Sequence, residues 1–131
     1  MNLVVDASVI LQILLAGGDV GQLPRHTMRA PALLPSDVTS SLRELVWRGD
    51  VPEPAAATVL RELAALPIVH EPPGTLAAEA TAVAAQLGWA KTYDAEYVAL
   101  AQRLGCPLLT IDARLQRGVA GVIEVLTPLE L

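Results

Sequence analysis

Leu3-Val4-Val5-Asp6-Ala7-Ser8 is the stretch whose reading decides the fold of this chain. Three apolar residues, two of them β-branched, run into a carboxylate and then a hydroxyl. That order fits a buried strand followed by the start of a helix. Asp6 or Ser8 can cap the helix, which Val9 to Ala16 then continue. Asp6 therefore falls at the carboxyl end of a strand. Ligands of open parallel sheets bind in the crevice beyond those ends, so a carboxylate there is placed to meet a ligand or a metal. Taken alone, Asp6 also reads as a plain helix cap.

Working outward, composition sets the limits. The chain has 131 residues, 53% of them hydrophobic, and a mean hydropathy of +0.46, enough apolar material for one domain over 1–131 with a real core. The longest apolar runs, such as Val9 to Ala16 with Gln12 inside it, fall well short of the roughly 20 residues a bilayer crossing needs. The first residues carry no Lys or Arg, and Asp6 interrupts them, which does not suit a secretory signal. The expected location is the cytoplasm, with no membrane partner. Cys106, the single cysteine, precedes Pro107 and an apolar run and reads as a buried, inert thiol.

A net charge of −5 argues against coating nucleic acid through bulk electrostatics. It does not argue against an enzyme that meets a phosphodiester locally, because a carboxylate cluster that binds divalent cations is itself acidic until loaded. Phe is absent and aromatics make up only 3%, which disfavours a base-stacking platform of several rings. The candidates for any stacking are Trp47, Trp89, Tyr93 and Tyr97.

Along the chain, Gly17-Gly18 ends the first helix, and Asp19 to Arg29, with Pro24, reads as an irregular connection or one short helix. Arg29 to Ala32 is a short second strand. Pro35-Ser36-Asp37 opens an amphipathic helix with Val38, Leu42, Leu45 and Val46 on one face, ended by Gly49. Pro52-Glu53-Pro54 starts another helix running to about Leu66, and Ile68-Val69-His70 is the next strand. Pro72-Pro73-Gly74-Thr75 makes a turn and caps an Ala-rich helix through Leu87 that Gly88 closes, and Asp94 opens a helix ending at Gly105. Pro107 to Ile111 is a buried strand with Asp112 just past it, Arg114 and Leu115 begin a short helical turn, and Val122 to Val125 is a last strand.

Strands alternating with helices argue an α/β fold: a three-layer α/β/α sandwich around a parallel sheet of four or five short strands. Asp6 and Asp112 each follow a strand, while Asp37 and Asp94 each open a helix, so all four acids can converge at one sheet edge. Four carboxylates crowded without cations repel one another, so such a cluster makes sense as a hard-metal site. Oxygen-only ligands favour Mg²⁺ or Mn²⁺ over zinc, for which the chain offers only His26, His70 and Cys106.

Val4 to Ser8, Ala30 to Leu34, Tyr93 to Ala101 and Leu109 to Leu115 together resemble the PIN-domain ribonucleases, in particular the VapC-like toxins of bacterial toxin–antitoxin pairs. The resemblance spans nearly the whole chain. It implies a parallel sheet between helical layers, Mg²⁺- or Mn²⁺-dependent hydrolysis of single-stranded or loop RNA, a homodimer, and a VapB-like antitoxin that blocks the groove. Asp6, Asp94 and Asp112 occupy the family's acidic positions unchanged; Asp37 stands where the family usually has Glu, one methylene longer. The connection from Gly17 to Arg29 is shorter than is usual in the family.

The expected mechanism is metal-assisted phosphodiester hydrolysis with Asp6, Asp37, Asp94 and Asp112 as metal-binding catalytic residues. One cation, held mainly by Asp6 and Asp94, activates water; a second ion, or the same one, offsets leaving-group charge with Asp112 and Asp37. Ser8 and Thr110 can hydrogen-bond a ligand carboxylate or a metal-bound water, with capping and strand packing as the plainer alternatives. Glu96 is an outer acid or a solvated one. Lys91 and Arg114 are the basic residues best placed to meet RNA phosphate. Two other readings stand beside this one. A catalytically weak relative acting mainly as an antitoxin-binding partner is kept open by the short acid at position 37. A phosphatase-like domain with Asp6 as covalent nucleophile calls for a further acid two residues on, where Ser8 stands.

Overall fold

The computed structural model describes residues 1–17 and 25–131. Most of the connection expected over 19–29, Pro24 included, lies outside the described residues. The elements run β1 (Asn2–Val5), α1 (Ala7–Leu15), β2 (Thr27–Ala30), α2 (Leu34–Trp47), α3 (Glu53–Ala65), β3 (Ile68–His70), α4 (Ala77–Leu87), α5 (Tyr93–Leu104), β4 (Leu108–Leu109), α6 (Ala113–Gly118) and β5 (Val125–Leu126). A single 3₁₀ turn, Pro128–Glu130, closes the chain.

The five strands form one sheet in the order β3-β2-β1-β4-β5, and every pairing is parallel. From β1 the chain moves one way, to β2 and then β3. From β3 it crosses back to β4 and continues to β5. Right-handed crossovers in opposite directions put their helices on opposite faces. In agreement, α1, α2 and α3 pack on one another, while α4 packs against α5 and α5 against β1. The expected α/β/α layering is present, with five strands.

The central strands explain their own burial. Leu3, Val4 and Val5 are covered on both sides and Leu108 and Leu109 are fully buried, so these positions carry no alternation of polar residues. Ala95 and Tyr97 to Ala101 bury the middle of α5 beneath them, while Tyr93 and Asp94 at its start and Gln102 and Arg103 near its end stay exposed.

Several boundaries differ from those expected; the strand expected over Pro107 to Ile111 is only Leu108–Leu109, with Thr110 N–H adding one more bond, to Leu126 C=O. The second strand is Thr27–Ala30, not Arg29 to Ala32, because Pro31 has no N–H to give the ladder and Leu34 N–H bonds back to its carbonyl in a turn. Arg29 tolerates a half-buried strand position because Glu71, just past β3, accepts from its guanidinium at 2.8 Å. The last strand is Val125–Leu126, not Val122 to Val125; Val122 and Ile123 donate back to Val119 and close the turn after α6. Thr75 does not cap α4. Its hydroxyl bonds Pro72 C=O, the N-cap of α4 is Leu76 without a side-chain bond, and only Gly88, at φ 72°, behaves as expected by ending the helix in the left-handed region. Cys106 is half-buried rather than enclosed, and burial raises its thiol pKa. Among the described residues no helix is long and apolar enough to cross a membrane.

Candidate active site

The topology places a crevice where strand order reverses, between β1 and β4. The chain leaves β1 toward one face and β4 toward the other, so the connections beyond their paired carboxyl ends diverge. Asp6 and Asp112 are the residues at those two ends.

Asp6 extends the β1–β4 ladder by one bond, its N–H donating to Leu109 C=O at 3.2 Å, and then turns the chain into α1. It is the N-cap: one carboxylate oxygen accepts from Val9 N–H at 3.2 Å and from the Ser8 hydroxyl at 2.6 Å. The other accepts from Thr110 Oγ1 at 2.5 Å. The hydroxyls of Ser8 and Thr110 lie 3.3 Å apart and also receive the N–H groups of Ile111 and Asp112, so they clip the two strand-to-helix turns together. Both were expected near a ligand carboxylate, and both touch Asp6. Thr110 is wholly buried and Asp6 is only 6% exposed.

Asp112 caps α6, one oxygen accepting from Arg114 N–H at 2.9 Å and Leu115 N–H at 3.2 Å. Asp37 lies in the first turn of α2, which starts a residue earlier than Pro35 because a proline near the helix start gives up no needed donor. Its Oδ2 accepts from the Tyr97 hydroxyl at 2.8 Å. Asp94 is the second residue of α5. Asp6, Asp37, Asp94 and Asp112 line one cleft of about 260 Å³ together with Ser8, Ser40, Ser41, Tyr93 and Tyr97.

The electrostatics tie the four acids to one another. Burial holds Asp6 above its ordinary value, outweighing the Ser8, Thr110 and Val9 bonds, and the charge of Asp112 pushes the same way. Asp94 is raised by burial and then by Asp112, with Arg114 partly offsetting them. Asp37 is raised by burial and by Asp94 against the Tyr97 bond. Burial and the surrounding acids push the Tyr97 phenol far up, which keeps it a neutral donor.

The remaining expected residues fall outside the cleft wall. Glu96 is half-buried behind Asp37, which raises its carboxyl after burial does. Arg114 is exposed and near enough to Asp94 to act on it. Lys91 is exposed on the approach to α5. The sequence marks Tyr97 as an apolar helix position and one of four stacking candidates, not as a hydrogen-bond donor; its hydroxyl partner, Asp37, is 60 residues away in sequence. Ser40 and Ser41 carried no signal beyond their position one turn past Asp37.

The donor set fits a hard, hydrated cation. All of its ligands are oxygens. Asp112 and Asp37 each keep one carboxylate oxygen, and Asp94 both, without a hydrogen-bond donor among the described residues. Among those residues no three His, Cys, Asp or Glu side chains close on one point. The oxygen-only donors, rather than a closed cage, are what would suit Mg²⁺, which keeps several waters and takes one or two carboxylates directly.

Fold and site together define a class, a parallel α/β domain with an acidic cleft at its strand-order switch. A family model described as PIN domain matches residues 3–120, and the chain belongs to the PIN-domain family. It is 35% identical over 114 residues to ribonuclease VapC9 of Mycobacterium tuberculosis, covering 86% of this chain and 87% of that one. Among solved structures, PAE2754 from Pyrobaculum aerophilum aligns with a TM-score of 0.72 at 28% identity, over 95% of this chain and 83% of that one. A toxin–antitoxin complex from Klebsiella pneumoniae aligns with a TM-score of 0.64 at 19% identity, over 98% and 99% of the two chains, and shares the fold.

Proposed function

We propose that this chain is a divalent-metal-dependent endoribonuclease toxin of the VapC type, hydrolysing phosphodiester bonds in single-stranded or loop RNA under the control of a cognate VapB-like antitoxin. The observation that carries this reading is the convergence of Asp6, Asp37, Asp94 and Asp112 on one cleft at the strand-order switch. The name of the Mycobacterium relative supports the ribonuclease, and the Klebsiella complex supports an antitoxin partner. A homodimer belongs to the same reading; exposed apolar side chains such as Trp47 and Leu60 are ones a partner surface would cover.

When bound, Mg²⁺ or Mn²⁺ supplies Lewis-acid polarisation of the phosphate and acidifies the attacking water. Asp6, Asp94, Asp112 and Asp37 would hold the ion, the last three with carboxylate oxygens that carry no hydrogen bond among the described residues. Asp6 contributes an orientation locked by Ser8, Thr110 and the α1 cap. Arg114 and Lys91 bring positive charge to the approaching phosphates. The chain needs no side-chain nucleophile, and Asp6, tied by two hydroxyls and a backbone N–H, is poorly disposed to become one. Asp37 lines the same cleft as the other three acids despite its shorter arm, which favours the nuclease over a binding-only protein.

The test is cleavage of single-stranded and hairpin RNA in Mg²⁺ or Mn²⁺. Cutting that stops in EDTA and returns with metal is the expected result; cutting that survives EDTA sinks the proposal.

Two further outcomes follow from the geometry. Tyr97→Phe removes the donor to Asp37 and leaves the ring in place, so metal affinity should fall about 10–100-fold with little loss of fold. An unchanged Mg²⁺ titration would mean the hydroxyl does not position Asp37. The second concerns pH. Asp6, Asp37 and Asp94 all sit above the ordinary aspartate value of 3.8, so the folded chain holds extra protons between that value and the raised ones. Their contribution to stability is full below 3.8 and is lost as pH rises through the raised values. Mg²⁺ should therefore raise Tm most at neutral pH, by about 2.7 kcal/mol of stabilisation at a hundredfold excess over Kd, and not at all once the carboxyls are protonated. A pH-independent increment in thermal scans would contradict the metal site.

A further inference from the structure

This inference rests on the nuclease reading and names what holds the substrate's base. RNA binding faces a difficulty here. The net charge is −5, and the cleft itself is lined by four carboxylates, so the general electrostatic attraction that dominates nucleic-acid binding is absent. Bound cations offset the charge at one phosphate. Beyond what bound cations, Arg114 and Lys91 supply, affinity calls for contacts that do not depend on phosphate charge, and base stacking on an aromatic ring is the main one available.

The chain has four aromatic side chains, and two of them line the cleft. Tyr97 is buried and bonded to Asp37, which leaves its ring faces packed in the core. Tyr93 is different: it is 62% exposed, and it opens α5 next to Asp94. The helix fixes its backbone, so ordering the ring costs little entropy beyond its two side-chain torsions. Of the other two, Trp89 is half-buried with its ring 3.2 Å from where a Cβ on Gly118 would lie, and Trp47 ends α2, well beyond the Asp37 end that faces the cleft. An exposed aromatic beside a solvent-facing carboxylate gains nothing for folding, because it leaves most of its apolar area in water.

We propose that Tyr93 is the base-stacking wall of the cleft, holding the nucleobase next to the scissile phosphate while the carboxylate cluster engages that phosphate. The ring makes Tyr93 a specificity-determining residue: it selects an unstacked base, and hence single-stranded or loop RNA over a duplex, because a paired base presents no free face. Ser40 and Ser41, on α2, line the same cleft and offer hydroxyls to the sugar or the base edge.

The experiment compares wild type, Tyr93→Phe and Tyr93→Ala on a single-stranded RNA oligonucleotide whose cut has been mapped, and on the same oligonucleotide made abasic on either side of that cut. Stacking on one ring is lost with Ala and kept with Phe. Tyr93→Ala should raise KM about 5–150-fold with kcat little changed, and Tyr93→Phe should stay near wild type. On the oligonucleotide lacking the stacked base, wild type should fall to the Tyr93→Ala level, and the substitution should then have no further effect. Equal KM values for wild type and Tyr93→Ala overturn the proposal, as does a loss in Tyr93→Phe as large as in Tyr93→Ala, which would assign the contact to the hydroxyl. Binding of the same labelled oligonucleotides, measured by anisotropy in Mg²⁺ with an Asp94→Asn background, separates this from the nuclease reading. Tyr93-dependent, base-dependent binding, together with a wild type that cuts no RNA in Mg²⁺ or Mn²⁺, upholds the stack and overturns the nuclease. Cutting without Tyr93 dependence does the reverse, and neither binding nor cutting overturns both.

Discussion

Asp94→Asn is expected to abolish RNA cleavage while making the metal-free protein more stable. The substitution keeps the side chain's shape and removes one charge from a cleft where Asp112 and Asp37 stand close enough to act on it. Asp94 has no hydrogen-bond donor among the described residues, so nothing is orphaned by the change. Loss of a principal cation ligand removes about 4 kcal/mol of transition-state stabilisation, on the order of 10³-fold in rate. Relief of repulsion should add about 0.5–2 kcal/mol to stability in EDTA, toward the low end because Asp94 is open to solvent screening. The sign follows from its pKa. The carboxyl is raised in the fold, so its ionisation destabilises the native state, and the gain from Asn should be largest at neutral pH and vanish in acid. Rate assays beside urea melts at two pH values decide the matter. A variant that is inactive and also destabilised would mean that Asp94 supports the fold rather than the chemistry.

Asp6 should behave in the opposite way when truncated. Asp6→Ala removes the N-cap of α1, about 1 kcal/mol on its own, and takes from the wholly buried Thr110 hydroxyl its carboxylate acceptor, about 1 kcal/mol more with the Ser8 hydroxyl and Asp112 N–H still in reach. Activity should fall on the order of 10³-fold as well. Asp6→Asn keeps an oxygen for Val9 N–H and Ser8 and should be equally inactive at near wild-type stability. Denaturant midpoints of the pair separate the two roles: identical midpoints would mean the cap and the Thr110 clip contribute nothing measurable.

Much of the fold was readable because the governing interactions are local. Ile68–His70 is a strand between a proline and a proline-rich turn, and its bounds came out as expected. Gly88 and Gly105 end α4 and α5 in left-handed conformations at φ 72° and 61°, as glycine after an apolar-periodic run should. The differences arise where a distant partner, or a competing backbone group in the same turn, settles the outcome. Arg29 seemed to belong to the beginning of a strand and lies inside one, because Glu71 from beyond the next strand neutralises it. Thr75 had the chemistry of a cap, yet a backbone carbonyl in its own turn, that of Pro72, competed successfully for its hydroxyl.

The acids show the same division. Local sequence was enough to place Asp6 and Asp112 after strands, and Asp37 and Asp94 in the first turns of helices, because strand runs and helix starts are written in neighbouring residues. That the four meet in one cleft is a property of strand order. With β1 next to β4, 102 residues separate Ser8 from the Thr110 hydroxyl that it approaches to 3.3 Å. The Tyr97–Asp37 bond and the exposure of Tyr93 were decided at that level too. Tyr93 and Tyr97, one turn apart, share a face of α5, yet Tyr97 is buried as a donor to Asp37 while Tyr93, the first residue of the helix, lies at its exposed start.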